Sequence, residues 1–401
     1  MNKISILKNP VQGYAWGSKT EIQGLIGESA STDKPMAELW MGAHPKAPSE
    51  VLLDGKWQSL DKVIEKNPEP ILGKRTARRF SNHLPFLFKI LAADRPLSIQ
   101  VHPNLEQAQK GFARENDLGI PLDAPNRNYK DNNHKPEVLC ALTPFQCLKG
   151  FRKVEEILGL MDRLSLASLS GEIDLLYKKP DSHGLKSFFS ALMSMDKGHQ
   201  NEVTGEAVRA AEKFADNEKT CRWVAELNRE YPGDIGILSP IILNPVLLEP
   251  GEAMYLPAGE LHAYLHGLGI ELMANSDNVL RGGLTPKHMD VPELLNIVNF
   301  KTGPVRKVTS TTIDTCRTIY KTPAEEFLLS TISVDEENSF TSPSDRSAEI
   351  LICLRGEAGI EDIGSGEILP MTRGLSVIIP SEISRYRIGG NAMFYMASVP
   401  F

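Results

Sequence analysis

Two imidazoles, a carboxylate and an amide oxygen, at His102, His262, Glu137 and Gln100, together make a set of side chains that would suit a divalent cation if the fold brought them together. The set is of borderline softness and suits zinc, which takes nitrogen and oxygen donors; such sites also accept manganese, cobalt or iron. A neutral glutamine beside a single carboxylate would leave a bound Zn2+ with residual positive charge. It would then keep the Lewis acidity needed to polarise a hydroxyl or carbonyl oxygen.

Cations and further carboxylates stand at positions where they call for a partner. Lys89 interrupts the apolar run Phe86-Leu87-Phe88-Lys89-Ile90-Leu91, which is costly unless the ammonium snorkels out or meets an anion. Lys135 shares parity with Glu137 at the opening of an apolar strand. The run from Glu271 to Lys287 gathers Glu271, Asp277, Arg281 and Lys287 around Gly282-Gly283, a pair that permits close backbone approach and a loop folding Arg281 over a substrate. A solvated loop is the plainer account of the same run.

These side chains need strands to aim them. Alternation along Leu97-Ser98-Ile99-Gln100-Val101-His102 sends three aliphatic groups to one face and Ser98, Gln100 and His102 to the other. Short apolar runs cut by turn residues, at 84–91, 97–103 and 137–142, read as strands throughout the region from Ile4 to about Phe151. The polar stretch 110–134 reads as one long loop, of a length that is usually functional in a compact domain. From 152 to 235 the period becomes helical, as in Val154, Ile157, Leu158 and Met161. Strand texture resumes at 241–265, where His262 follows a Gly-to-Pro strand segment. A terminal unit of short strands runs to Phe401.

A weak repeat links the two β regions. Gly251 to Pro257 aligns with Gly374 to Pro380, and continuing that alignment pairs His262 with Arg385. A duplicated barrel with one metal-free copy would produce this pattern and would confine the chemistry to the first copy.

Composition narrows the class. With 401 residues the chain is expected to form two or three structural units, and 41% hydrophobic with 24% charged residues is ordinary for a soluble globular protein. A net charge of −7 argues against a general nucleic-acid or anionic-membrane surface, so any anion site must be local. Cys140, Cys147, Cys221, Cys316 and Cys353 are scattered and odd in number, and read as reduced structural thiols. Pro10 and Gly13 interrupt the N-terminus before it could supply a signal-peptide apolar region, and no run nears eighteen apolar residues. The expected address is cytoplasmic, with no membrane and no nucleic-acid partner.

The segments Gly13 to Ser18, Ala37 to Pro45, Leu97 to Pro103, Tyr129 to Glu137 and Ala274 to Lys287 resemble, in order and spacing, those of type I phosphomannose isomerases, and the likeness spans the whole chain. It implies a mainly β, cupin-type (jelly-roll) architecture. Residues 1–151 and 236–318 would form the catalytic zinc-binding domain, 152–235 a helical insertion, and 319–401 a degenerate cupin-like domain without metal ligands. It implies one zinc ion per chain on Gln100, His102, Glu137 and His262, with Arg281 catalytic. It also implies a phosphate-proximal cluster of Ser98, Lys89 and Lys135, and places Glu271, Asp277, Tyr264 and His134 near the substrate. His44, His83, His183, His199, His266 and His288 are read as structural positions.

The expected reaction is the interconversion of an aldose and a ketose phosphate, mannose 6-phosphate and fructose 6-phosphate. A proton would move between C2 and C1 through a cis-enediol, with the metal and Arg281 dispersing the enediolate charge. Glu271, Asp277, His134 and Lys135 are all candidates for the base, and Lys287 could assist in phosphate binding. A monomer is the default expectation. Two rivals share the residues: a cupin dioxygenase, against which Gln100 in place of a histidine argues, and a sugar-phosphate sensor that binds without turnover.

Overall fold

A computed structural model describes residues 1–27 and 33–400, so residue 401, where the expected terminal unit ends, lies outside the described residues. The architecture is mainly β with a helical block, consistent with the cupin-type expectation. Among the described residues the strands form two sheets, of ten and eleven strands.

One long strand, His262–Ala274, organises the first sheet. Its beginning lies between Phe145–Phe151 and the two-residue strand Gln100–Val101; its later part lies between Phe86–Ala93 and Glu137–Ala141. The register sets Gln100 opposite His262, Lys89 opposite Glu271 and Arg281 opposite Gln100. Residues far apart in the chain thus become cross-strand neighbours, with side chains about 5 Å apart at the base.

The alternation at 97–102 survives, although only Gln100 and Val101 are in strand pairing. Ile99 and Val101 pack into the core they share with the helices, while Leu97 joins a separate cluster with Leu91, Phe145 and Tyr264. Five α-helices between Val154 and Glu230 cover this side, with Val154, Ile157, Phe188, Val203 and Leu227 buried towards the sheet. Asp181 and Asp196 cap two of them, Asp181 accepting two backbone N–H groups of the first turn and Asp196 one.

Two expectations from the sequence need correction. Residues 110–117, read as loop, belong to the helix Leu105–Asp117, which opens on a reciprocal capping box between Asn104 and Gln107. Its polar composition masked the period: Ala108, Gly111 and Glu115 are its buried positions, none of them a large apolar residue. The region from Ile4 to Phe151, read as strands alone, also contains the short helices Glu21–Ile26, Leu60–Lys66, Pro68–Leu72 and Lys74–Arg79. At seven residues or fewer, such helices show less than two turns of periodicity.

The second sheet joins the two ends of the chain. Ser5–Lys8 lies between Ser376–Ile379 and Glu50–Leu53, so strands from the first sixty residues complete the sheet of the terminal unit. The repeat has a structural counterpart here. Gly251 and Gly374 both turn with positive φ, 86° and 88°. The strands that follow end with Leu256 opposite Glu137 and Ile379 opposite Glu349, which makes Glu349 the counterpart of Glu137. Arg346 Nη1 lies 3.4 Å from Glu349, and the Tyr386 hydroxyl donates to it at 2.8 Å. On the strand that corresponds to the one opened by His262, it is Tyr386 that reaches Glu349; Arg385, paired with His262 by the sequence alignment, instead donates from Nε to the Ser342 carbonyl at 3.3 Å.

The five cysteines are buried and unpaired, and burial pushes the Cys147 thiol up to about 12. Among the described residues no helix is long and apolar enough to cross a membrane.

Candidate metal centre

His102, Glu137 and His262, all buried, bring one ligating atom each within 4.8 Å of one another, the single such group of metal-ligating side chains among the described residues. His102 Nε2 is 3.4 Å from one oxygen of Glu137 and His262 Nε2 is 3.5 Å from the other. Each ring is oriented from behind: His102 Nδ1 lies 2.8 Å from the Asn278 carbonyl oxygen and His262 Nδ1 lies 3.0 Å from that of Glu260. A carbonyl can only accept, so both Nδ1 atoms carry the proton and both Nε2 lone pairs face Glu137. His102 Nε2 is buried with no hydrogen-bond partner. Two aimed lone pairs, one of them unmet, around a carboxylate fit a divalent cation, and backbone carbonyls behind ligating histidines are the usual support for one.

Electrostatics favour the same reading. Burial alone would raise the Glu137 carboxyl, yet Lys135 and the two histidines hold it well below the usual carboxylate range. Burial lowers His262 to about 4. Carboxylate and neutral imidazole are the forms that ligate metal.

Beside this group is a cavity of about 50 Å³ lined by Lys89, Ser98, Gln100, Lys135, Tyr264 and Glu271 among others. At roughly 10–15 Å³ per water position it has the scale of a phosphate group. Lys89 Nζ is 2.7 Å from Glu271 and 3.8 Å from Glu38, and Glu38 in turn accepts from Trp40 Nε1 at 2.6 Å. Glu271 also accepts from the Tyr264 hydroxyl at 2.9 Å. Burial disfavours the Lys89 charge, but Glu271 and Glu38 outweigh it and keep the ammonium protonated. Burial raises Glu271, against the pull of Lys89. The lysine that interrupted an apolar run has therefore met an anion rather than snorkelled. Lys135 Nζ lies 3.1 Å from Glu137.

The remaining expected residues are divided. Arg281 sits across the register from Gln100, its pKa lowered by burial. Lys287 is exposed, and burial together with the nearby charges of Arg281 and Lys46 lowers its pKa. Asp277 is tied by its backbone N–H to Asp131 at 2.7 Å, next to the Asn278 that holds His102, and its carboxylate is 40% exposed. His134 is turned away, its Nε2 bonding Glu326 at 2.6 Å, and like Asp277, Arg281 and Lys287 it does not line the cavity.

Some contributors had no signal in the sequence. His44, read as structural, lies 3.8 Å from Asp277 and is lowered to about 4 by burial. Glu38 completes the charge network of Lys89. Asn278 and Glu260 act through main-chain carbonyls, which any residue type could supply.

Residues 4–154 match the family model described as phosphomannose isomerase type I, catalytic domain, and residues 168–243 match the one described as its helical insertion domain. The chain is 43% identical to mannose-6-phosphate isomerase of Escherichia coli (strain K12) over 389 residues, covering 96% of this chain and 97% of that protein. It is 35% identical to mannose-6-phosphate isomerase of Homo sapiens over 400 residues, covering 93% and 92%. A crystal structure of a mutant phosphomannose isomerase from Salmonella typhimurium superposes with a TM-score of 0.93 at 38% identity, covering 99% of this chain and 100% of that one. A zinc-bound mannose 6-phosphate isomerase superposes with a TM-score of 0.91 at 38% identity, with the same coverage.

Proposed function

The chain belongs to the type I phosphomannose isomerases, and from that membership we infer that it interconverts mannose 6-phosphate and fructose 6-phosphate as a zinc enzyme. The observation that carries the reading is the buried His102–Glu137–His262 group, with both histidine lone pairs aimed at one carboxylate. Gln100, opposite His262, is the fourth ligand on this reading. Bound there, zinc supplies Lewis acidity to the sugar oxygens at C1 and C2.

The chain's own groups divide the remaining work. Ser98, Lys89 and Lys135 line the cavity beside the ligands and hold the phosphate, with Lys135 and Lys89 as cations and Ser98 as a donor. Glu271 and Tyr264 act on Lys89, fixing its ammonium group. Glu271 has both oxygens engaged, which argues against its acting as the base.

Asp277 is the carboxylate without a cationic partner among the proposed bases, and its partial exposure lets it exchange a proton with solvent. It takes the proton from C2 of the open-chain aldose and returns it at C1, through a cis-enediol, while O1 gains a proton and O2 loses one by exchange with solvent. Arg281, half-buried and across the register from Gln100, stabilises the enediolate oxygens. Lys287, at the exposed end of this group, draws the substrate in.

Incubation of the zinc-loaded chain with mannose 6-phosphate should yield fructose 6-phosphate, and a chelator should abolish the yield. Absence of product from zinc-loaded protein would overturn the reading. Label at C2 carried wholly to C1, with no solvent exchange under any condition, would replace the proton route by hydride transfer.

A further inference from the structure

A second cavity, of about 540 Å³, opens between the first sheet and the segment leading into the terminal unit. None of the residues proposed for metal or sugar lines it. Its volume falls in the range of roughly 300–1,000 Å³ typical of small-molecule sites. Lys149, Arg306, Lys307 and Lys321 stand in its lining against one carboxylate, Glu260. On a chain of net charge −7 this is a local excess of positive charge rather than the surface average.

We propose that this cavity binds a small molecule bearing a diphosphate. Lys149 lies 3.7 Å from Glu260, and Lys307 is paired with Glu252. Arg306 and Lys321 are exposed and, among the described residues, have no ion-pair partner. Two uncompensated cations from separate stretches of chain are matched by an anion with two charged centres, and a guanidinium suits phosphate oxygens in particular. Thr309, Thr311 and Thr322, also in the lining, add hydroxyl-bearing residues to these cations. Tyr255 and Pro257 give the cavity an apolar floor on which a ring attached to the diphosphate can lie.

The cavity also backs onto the metal centre. Lys149 is the cross-strand partner of His262, and its neighbour Glu260 supplies the carbonyl that holds the His262 ring. A smaller recess of about 260 Å³ adjoins it, sharing Lys149, Glu260 and Arg306 and adding Lys301.

Binding at this cavity does not rest on the isomerase reading, and calorimetry tests it directly. The zinc-loaded chain, saturated with mannose 6-phosphate so that the sugar site is filled, is titrated with ADP and separately with magnesium pyrophosphate. Saturable binding is expected for at least one, weakened tenfold or more in the Arg306→Glu, Lys321→Glu double variant, whose isomerase turnover without added anion stays unchanged. Tighter binding of ADP identifies a nucleotide; equal binding identifies inorganic diphosphate. The proposal is overturned if neither ligand binds saturably, if mannose 6-phosphate abolishes the binding, or if the double variant binds as the parent does. Product formation, read separately, reports on the isomerase reading alone.

Discussion

Glu137 receives His102 on one oxygen and His262 on the other, and Lys135 lies within 3.1 Å as well. Replacing its charge leaves two imidazoles and two neutral amides, so Glu137→Gln should lose zinc by metal analysis and lose product formation with it. Lys89→Ala should act differently: KM for mannose 6-phosphate should rise strongly while zinc content stays intact, and unchanged kinetics would remove Lys89 from phosphate binding. Because the substitution also strands Glu271 in a buried site, a fall in stability of about 3–5 kcal/mol should accompany it. His44 gives a pH signature. Its folded pKa near 4 lies below its ordinary 6.5, so between those values the unfolded chain takes up a proton that the folded chain refuses. The stability present above pH 6.5 is therefore lost as pH falls towards 4. His44→Gln should flatten the fall of the thermal midpoint across that window, and an unaltered slope would show that His44 does not contribute. At this scale residues with distinctive chemistry could be picked out in the sequence: Glu137 and His262 open strands, and His102 directly follows one, while the fourth ligand, Gln100, remains a proposal. Glu38 and His44 could not, because their roles depend on proximity across strands, which the chain alone does not display.

Elements carry these side chains through register, and the long strand His262–Ala274 does most of that by touching four others. Strands with strong apolar character, such as Phe86–Ala93 and Glu137–Ala141, were readable from the sequence. The helix Leu105–Asp117 was not, since its buried face is made of small and polar residues. That face has a function. Glu115 accepts the backbone N–H groups of Asn128 and Tyr129 at 3.1 and 2.9 Å, and Gly111 lies against the Tyr129 ring so closely that a Cβ would come within 2.3 Å of it. Through this contact the helix sets the start of the segment that carries Asp131, Asn133 and Lys135. Gly111→Ala should therefore displace Tyr129, cost about 1–3 kcal/mol by denaturant unfolding, and reduce turnover. Parent-like turnover at reduced stability would separate the helix from the site.

At the scale of the molecule, the helical block and the resumption of strands at 241–265 were visible as changes of period. The pairing of the chain's ends was not: Ser5–Lys8 is a short strand whose partners are Ser376–Ile379 and Glu50–Leu53, and nothing local in SILK names them. The terminal unit leans on residues outside its own stretch of sequence. A fragment of residues 319–401 expressed alone should consequently show no cooperative thermal transition by circular dichroism, and addition of a fragment covering residues 1–66 should restore one.

The counterpart of Glu137 in the second sheet, Glu349, has a positive neighbour held by the protein itself, for Arg346 donates to the carbonyls of Ser347, Pro380 and Ile383 as well as contacting that carboxylate. Both carboxylates thus meet a cation of the chain, Lys135 or Arg346, but only Glu137 also faces two imidazole nitrogens that call for an ion from the medium. When zinc is scarce the two halves should part company: the catalytic half loosens, and the half built on arginine stands as a scaffold to which activity can return once the ion is resupplied.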